Sequence, residues 1–321
     1  MIKKLLTTVL SAGIALAGLA AEPKTYEIDI TVAADGSGDY TTITDALRKM
    51  RGGMEYNTRI FIKNGVYTEK IVMGISLCNI DIVGENADSV IIQYGDYASL
   101  NNMGTSGSYT FKIESSNISF SDITFANTAG PVGQAVAVYT TGDRISFTRC
   151  RFLGNQDTLY TGGVDKRLYF DNCYIEGTTD FIFGSATALF VNCDIHAKAD
   201  SYITAASTPA NVRLGYVFDR CRITAAEGVT KVYLGRPWRP YASTFFIGCE
   251  MCGAILPSGW HNWGNASNEL TARYGQYDCT GEGADTSHRV TWSKILTPDE
   301  ARQYVTPEYI FEISNTWNPL K

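Results

Sequence analysis

The chain has 321 residues, 45% hydrophobic and 19% charged, a globular balance with room for one large domain or two ordinary ones. Its 30 glycines and 19 tyrosines favour a turn-rich β protein over a helical one. The formal charge of −6 argues against a nucleic-acid partner, and favours a neutral or partly neutralised ligand over a fully ionised polyacid. Residues 1–21, MIKKLLTTVLSAGIALAGLAA, combine a basic start, a short apolar run and a small-residue end. This predicts a secretory signal peptide cut near Ala20 or Ala21 rather than a membrane span. Loss of Lys3 and Lys4 would then take the charge from −6 to −8. No cysteine lies near the cut, so no lipid anchor is expected, and the mature chain, 22–321, is expected to be periplasmic or extracellular.

Residues 26–34 alternate as a strand, 35–40 (DGSGDY) form a turn, and 41–50 read as a short helix capped by Thr42 or Thr44. Residues 59–73 are β-rich with a turn at Asn64-Gly65, and the next helix is a short one at Pro298–Tyr304. Between these lies a repeat, in ISLCNIDI (75–82), ISFSDITF (118–125), ISFTRCRF (145–152), LYFDNCYI (168–175), LFVNCDI (189–195), YVFDRCRI (216–223) and FFIGCEM (245–251). It aligns Ile80, Ile123, Cys150, Cys173, Cys193, Cys221 and Cys249 at spacings of 43, 27, 23, 20, 28 and 28 residues. Units of this length, rich in short strands with no helix between them, fit an all-β parallel β-helix whose coils stack about 4.8 Å apart. The cysteines then form one inward ladder in which Cys150 and Cys173 are the best placed to form a disulfide. From about Asn265 the repeat fades, and the remainder is expected to pack along the outside. No linker-like composition follows residue 25, so 22–321 is read as a single domain.

Cys150 is followed seven residues later by Asp157, and Cys173 seven residues later by Asp180. If each copy is one coil, the two carboxyls are stacked, their charges compete, and the pair splits into an acid and a base or nucleophile. The alternative is a pair of turn residues, each bonded to its own backbone. Gln156 and Gln134 offer neutral N–H donors suited to an oxyanion. Arg236 could pair with one aspartate and lower its pKa. Trp238, Tyr160, Phe183 and Trp260 offer flat faces of the kind that stack on sugar rings. Only three histidines and no G-x-S-x-G argue against an elbow-type serine hydrolase, and no phosphate-binding glycine loop precedes a helix. Cys249-x-x-Cys252 lacks a second ligand pair at zinc-finger spacing, and no acidic cluster suggests calcium, so neither metal nor cofactor is expected.

Five motifs, GVYTE (65–69), QAVAV (134–138), NQDTLY (155–160), GTTDFIFG (177–184) and LGRPW (234–238), stand in the order found in pectin methylesterases, which the chain resembles over the whole mature region. DGSGDYTTI (35–43), NTAGP (127–131) and GWHNW (259–263) are also similar. The resemblance implies a right-handed, single-stranded, pectin-lyase-like β-helix that removes methyl esters from homogalacturonan without a metal. It implies Asp180 as nucleophile, Asp157 as general acid and base, Gln134 and Gln156 as oxyanion donors, Arg236 as the group orienting Asp180, and Trp238 and Thr105 as substrate contacts. Val138 stands where leucine is commoner. A β-helical glycosidase using the same aspartates, a non-catalytic glycan-binding β-helix and an acetylesterase are the rival readings, and a monomer is expected.

Overall fold

The computed structural model describes residues 24–311, 317 and 319; the leader reading falls outside them. Among these residues, parallel strands form three sheets of 11, 7 and 8 strands. Through the central coils, strands three apart in sequence are neighbours, so each of these coils contributes one strand to each sheet, in a right-handed parallel β-helix. Alternation decides which residues face the lumen: in Ile145–Thr148, Ile145 and Phe147 are buried, while Ser146 and Thr148 are partly exposed.

The in-register stack Phe120, Phe147, Phe170, Phe190, Phe218 and Phe246 runs through the lumen with ring centroids 4.5–5.0 Å apart. Beside it stands the cysteine ladder. Each of Cys173, Cys193, Cys221, Cys249 and Cys279 donates its thiol to the phenylalanine carbonyl one coil earlier, at 3.4–3.6 Å. A left-handed residue (Asp122, Arg149, Asn172, Asn192, Arg220, Gly248 or Asp278) precedes each rung and turns the chain from the first sheet to the third. All the cysteines are free thiols, so Cys150 and Cys173, the best-placed candidates for a disulfide, do not pair. Side chains on successive rungs point the same way about 4.8 Å apart, beyond the roughly 3.5–4.5 Å that a disulfide needs between Cβ atoms.

Two boundaries differ from the sequence reading. Ile80 pairs with Ile118, not with the Ile123 level, because the period-two pattern of the first coil tolerates a slipped alignment. The repeat also continues past Asn265: Arg273–Tyr277 adds a strand to the first sheet, and Cys279 adds a rung. Only afterwards does the chain turn outward. Helices α2 (Pro298–Tyr304) and α3 (Pro307–Ile310) supply Ala301 and Ile310 to an apolar layer with Tyr169, Leu189, Val217 and Phe245 on the outer face of that sheet. At the other end, α1 (Ile43–Lys49) is capped by Thr42, and Glu69 accepts from Ile43 N and Thr44 N.

Candidate active site

The seven-stranded sheet positions the site. Its outward register runs Val72, Lys112, Tyr139, Tyr160, Phe183 and Ala205 over six coils. Tyr139 and Tyr160 stack with centroids 4.2 Å apart, followed by Phe183 at 4.9 Å and Trp238 at a further 6.0 Å. This aromatic row lines a cleft of about 450 Å³, together with Thr105, Ser106, Gln134, Gln156, Asp157, Asp180, Ala205, Arg236 and Trp263.

Asp157 and Asp180 each stand two residues before a strand of this sheet, Leu159–Thr161 and Ile182–Gly184, which pair directly. Both have left-handed backbones, with φ of 67° and 50°. The backbone ladder nevertheless continues through them: Asp157 N donates to Thr179 O at 3.1 Å, and Asp180 N to Tyr202 O at 2.8 Å. The turn before Asp180 has no room to relax, since a Cβ on Gly177 would lie 2.2 Å from the Phe181 Cβ. Stacking therefore places two carboxyls on successive rungs of one cleft, and both are nearly buried, 7% and 6% exposed.

Their partners separate them. Arg236 donates to Asp180 through Nε at 2.9 Å and Nη2 at 2.6 Å, a two-pronged grip on both oxygens. Burial and the neighbouring Asp180 charge push Asp157 up to about 8, with Arg236 offsetting part of the rise. Asp180 is raised too, by burial, against the opposing pull of Arg236. Arg236 pulls the Asp180 pKa down as its pairing predicts, but desolvation outweighs the ion pair and the net shift is upward. At neutral pH the arrangement still favours a proton on Asp157 and a charge on the arginine-paired Asp180.

Gln134 and Gln156 lie on adjacent coils joined by a parallel bridge, with Ala135 N donating to Gln156 O at 3.1 Å, and both line the cleft. Thr105 reaches the cleft from a 3₁₀ turn, Thr105–Gly107. Lys70 holds that turn by donating to Gly107 O at 2.6 Å while paired with Asp96.

Trp260 is not in the cleft. It is 1% exposed inside the lumen, packed against Phe246 and Tyr274, because its bridge to Gly235 and the left-handed Gly259 turn it inward. Trp263, three residues later, takes the place expected of Trp260: its own left-handed backbone, φ 63°, lays the ring 3.7 Å from the Arg236 guanidinium. Tyr202 covers Arg236 at 3.9 Å. The sequence reading missed Trp263, Tyr139, Tyr202, Ser106 and Ala205. A signal existed for Tyr139, since Val-Tyr-Thr (138–140), Leu-Tyr-Thr (159–161) and Ile-Phe-Gly (182–184) are the same position on three coils.

The family model described as Pectinesterase matches residues 29–313. Pectinesterase 31 of Arabidopsis thaliana is 38% identical over 292 residues, covering 88% of this chain and 92% of its own. Pectin methylesterase from carrot is 36% identical with a TM-score of 0.85, over 91% of this chain and 95% of that one. A pectin methylesterase crystallised in complex with a hexasaccharide is 27% identical with a TM-score of 0.77, over 92% and 99%. A β-helix with stacked aspartates in an aromatic cleft, matched along nearly its whole length by these proteins, places the chain in the pectinesterase family.

Proposed function

We propose that the protein is an exported pectin methylesterase that hydrolyses C6 methyl esters of homogalacturonan to free carboxylates and methanol, residues 22–321 forming one catalytic unit that acts as a monomer. The observation that carries the mechanism is the asymmetry of the acid pair: one carboxyl gripped by Arg236, the other buried beside it without such a grip.

An Asp180 carboxylate oxygen attacks the ester carbon, and the carbonyl electron pair moves onto oxygen. Gln134 and Gln156 supply amide N–H donors to that oxyanion. As the pair returns to re-form the carbonyl, the C–O bond to methanol breaks and Asp157 gives the departing oxygen its proton. An Asp180 acyl-enzyme remains. Asp157, now a carboxylate, takes a proton from water, whose oxygen attacks the same carbon. Collapse releases the Asp180 carboxylate and the product acid, which leaves its proton to solvent. Trp238, Tyr160, Phe183 and Thr105, which all line the cleft, contact the sugar rings, and a neutral methyl ester suits an acidic protein better than a polyanion.

No helix among the described residues is long and apolar enough to cross a membrane, and none of their His, Cys, Asp and Glu side chains form a group able to hold a metal ion. The test is to incubate purified protein with highly methylated homogalacturonan and assay methanol, acetate and new reducing ends together. Methanol without reducing ends supports the proposal. New reducing ends would indicate a glycosidase, for which two glutamines facing an oxyanion have no task. Acetate in place of methanol would move the substrate to an acetyl ester.

A further inference from the structure

The sandwich around Arg236 has a support behind it. Trp263 forms one face of the sandwich, and a tryptophan with φ of 63° needs its turn held in place. Two side chains do so. The His261 Nδ1 accepts from Trp263 N at 3.1 Å, and the Asn262 Oδ1 accepts from Gly264 N at 2.8 Å. Asn262 is in turn tied to Glu269 by its Nδ2 at 2.7 Å. His261 is itself fixed: its own N–H donates to Gly235 O at 3.1 Å, one residue before Arg236, and its ring packs on Tyr202 and Tyr233 at 5.4 and 5.3 Å. Tyr202 is the other face of the sandwich. One imidazole therefore touches both supports of the guanidinium that grips Asp180.

We propose that His261 is a positioning residue whose neutral form holds Trp263 over Arg236, so that its protonation loosens the Arg236–Asp180 pair and adds a proton dependence to the proposed esterase reaction. A hydrogen bond accepted at Nδ1 is available only while that nitrogen is unprotonated. Protonation would set an N–H against the Trp263 N–H and place a second cation beside Arg236. The groups facing the ring agree on the sign. Arg236 is the charged neighbour, Tyr202 and Tyr233 are neutral, and Asp180 and Glu269 are already engaged with Arg236 and Asn262. Burial and Arg236 accordingly hold His261 below its usual value of 6.5.

This inference rests on Asp180 being the nucleophile, and the experiment separates the two ideas. Methanol release from highly methylated homogalacturonan is measured against pH for the wild type, Asp180→Asn, His261→Ala and His261→Asn. Asparagine keeps an acceptor oxygen near the Nδ1 position but cannot take the proton. His261→Ala is expected to lower kcat about tenfold at pH 7, and His261→Asn to recover most of that loss. On the acid side, log kcat/KM of the wild type should fall more steeply than a slope of one over about one decade of extra loss as His261 protonates, then settle to the slope near one set by Asp180, whereas His261→Asn should keep a slope near one throughout. An active wild type, a dead Asp180→Asn and an unchanged acid slope in His261→Asn would overturn the role of His261 alone. A fully active Asp180→Asn would instead overturn the reading beneath it. If His261→Ala fails to fold, the slope comparison with His261→Asn decides.

Discussion

Arg236 holds both oxygens of Asp180, at 2.9 and 2.6 Å, while its guanidinium plane lies between the rings of Tyr202 and Trp263. Charge alone would not reproduce this, because a lysine ammonium is neither planar nor forked. Arg236→Lys is therefore expected to lower kcat on the order of 10²-fold, through loss of orientation, with little change in KM. Steady-state methanol release measures this, and a lysine variant with near wild-type kcat would reduce Arg236 to a point charge.

Asp157 should limit stability as well as activity. A carboxyl raised from 3.8 to about 8 binds its proton more tightly folded than unfolded. Folding stability attributable to it is thus highest below the unfolded value, declines as pH rises, and is lowest above about 8. Asp157→Asn removes that penalty. It should lose most turnover yet unfold at a higher temperature than the wild type at pH 8, with the gap closing toward pH 4. Calorimetry at the two pH values reads this directly.

The rate profile should be bell-shaped. The attack needs Asp180 charged, so kcat/KM falls on the acid side as pH drops through its pKa, which burial raises above 3.8. Departure of methanol needs Asp157 protonated, so the alkaline limb falls as pH rises through about 8. Beyond the contribution proposed for His261 on the acid side, the two limbs belong to the pair as a whole. An alkaline limb unchanged in a variant lacking the Asp157 carboxyl would assign it to another group.

Gln156→Ala should cost about 2.7–4 kcal/mol of transition-state stabilisation, read as a fall in kcat. A loss below about tenfold would make Gln156 a structural residue of its coil.

The two tryptophans should behave oppositely. Trp260→Ala is expected to cost about 3–5 kcal/mol of stability, since the ring fills the lumen beside Phe246 and Tyr274. Trp263→Ala should fold normally and lose activity. Thermal melts and methanol release on the two proteins separate these outcomes.

That exchange shows where sequence reading ends. The β-helix was legible because stacking requires the same residue type on each rung, and Cys150, Cys173, Cys193, Cys221 and Cys249 display the period openly. The acid pair followed from the same spacing. Ile80 was misplaced because a period-two strand looks alike after a slip, and Cys279 was missed because the repeat before it is interrupted by a long excursion. Which tryptophan of GWHNW faces the cleft depends on left-handed turns at Gly259 and Trp263, and no periodicity encodes those. The net direction of the Asp180 shift was also hidden, since it follows from burial that only the folded cleft creates.

The account depends on two stacked carboxyls sharing one proton, held by Asp157. Infrared titration of protein labelled with ¹³C-aspartate measures this most directly. The account predicts a protonated-carboxyl band that persists at pH 7, disappears as pH rises through about 8, and is absent from Asp157→Asn at pH 7. A wild-type spectrum at pH 7 with no band that depends on Asp157 would contradict it.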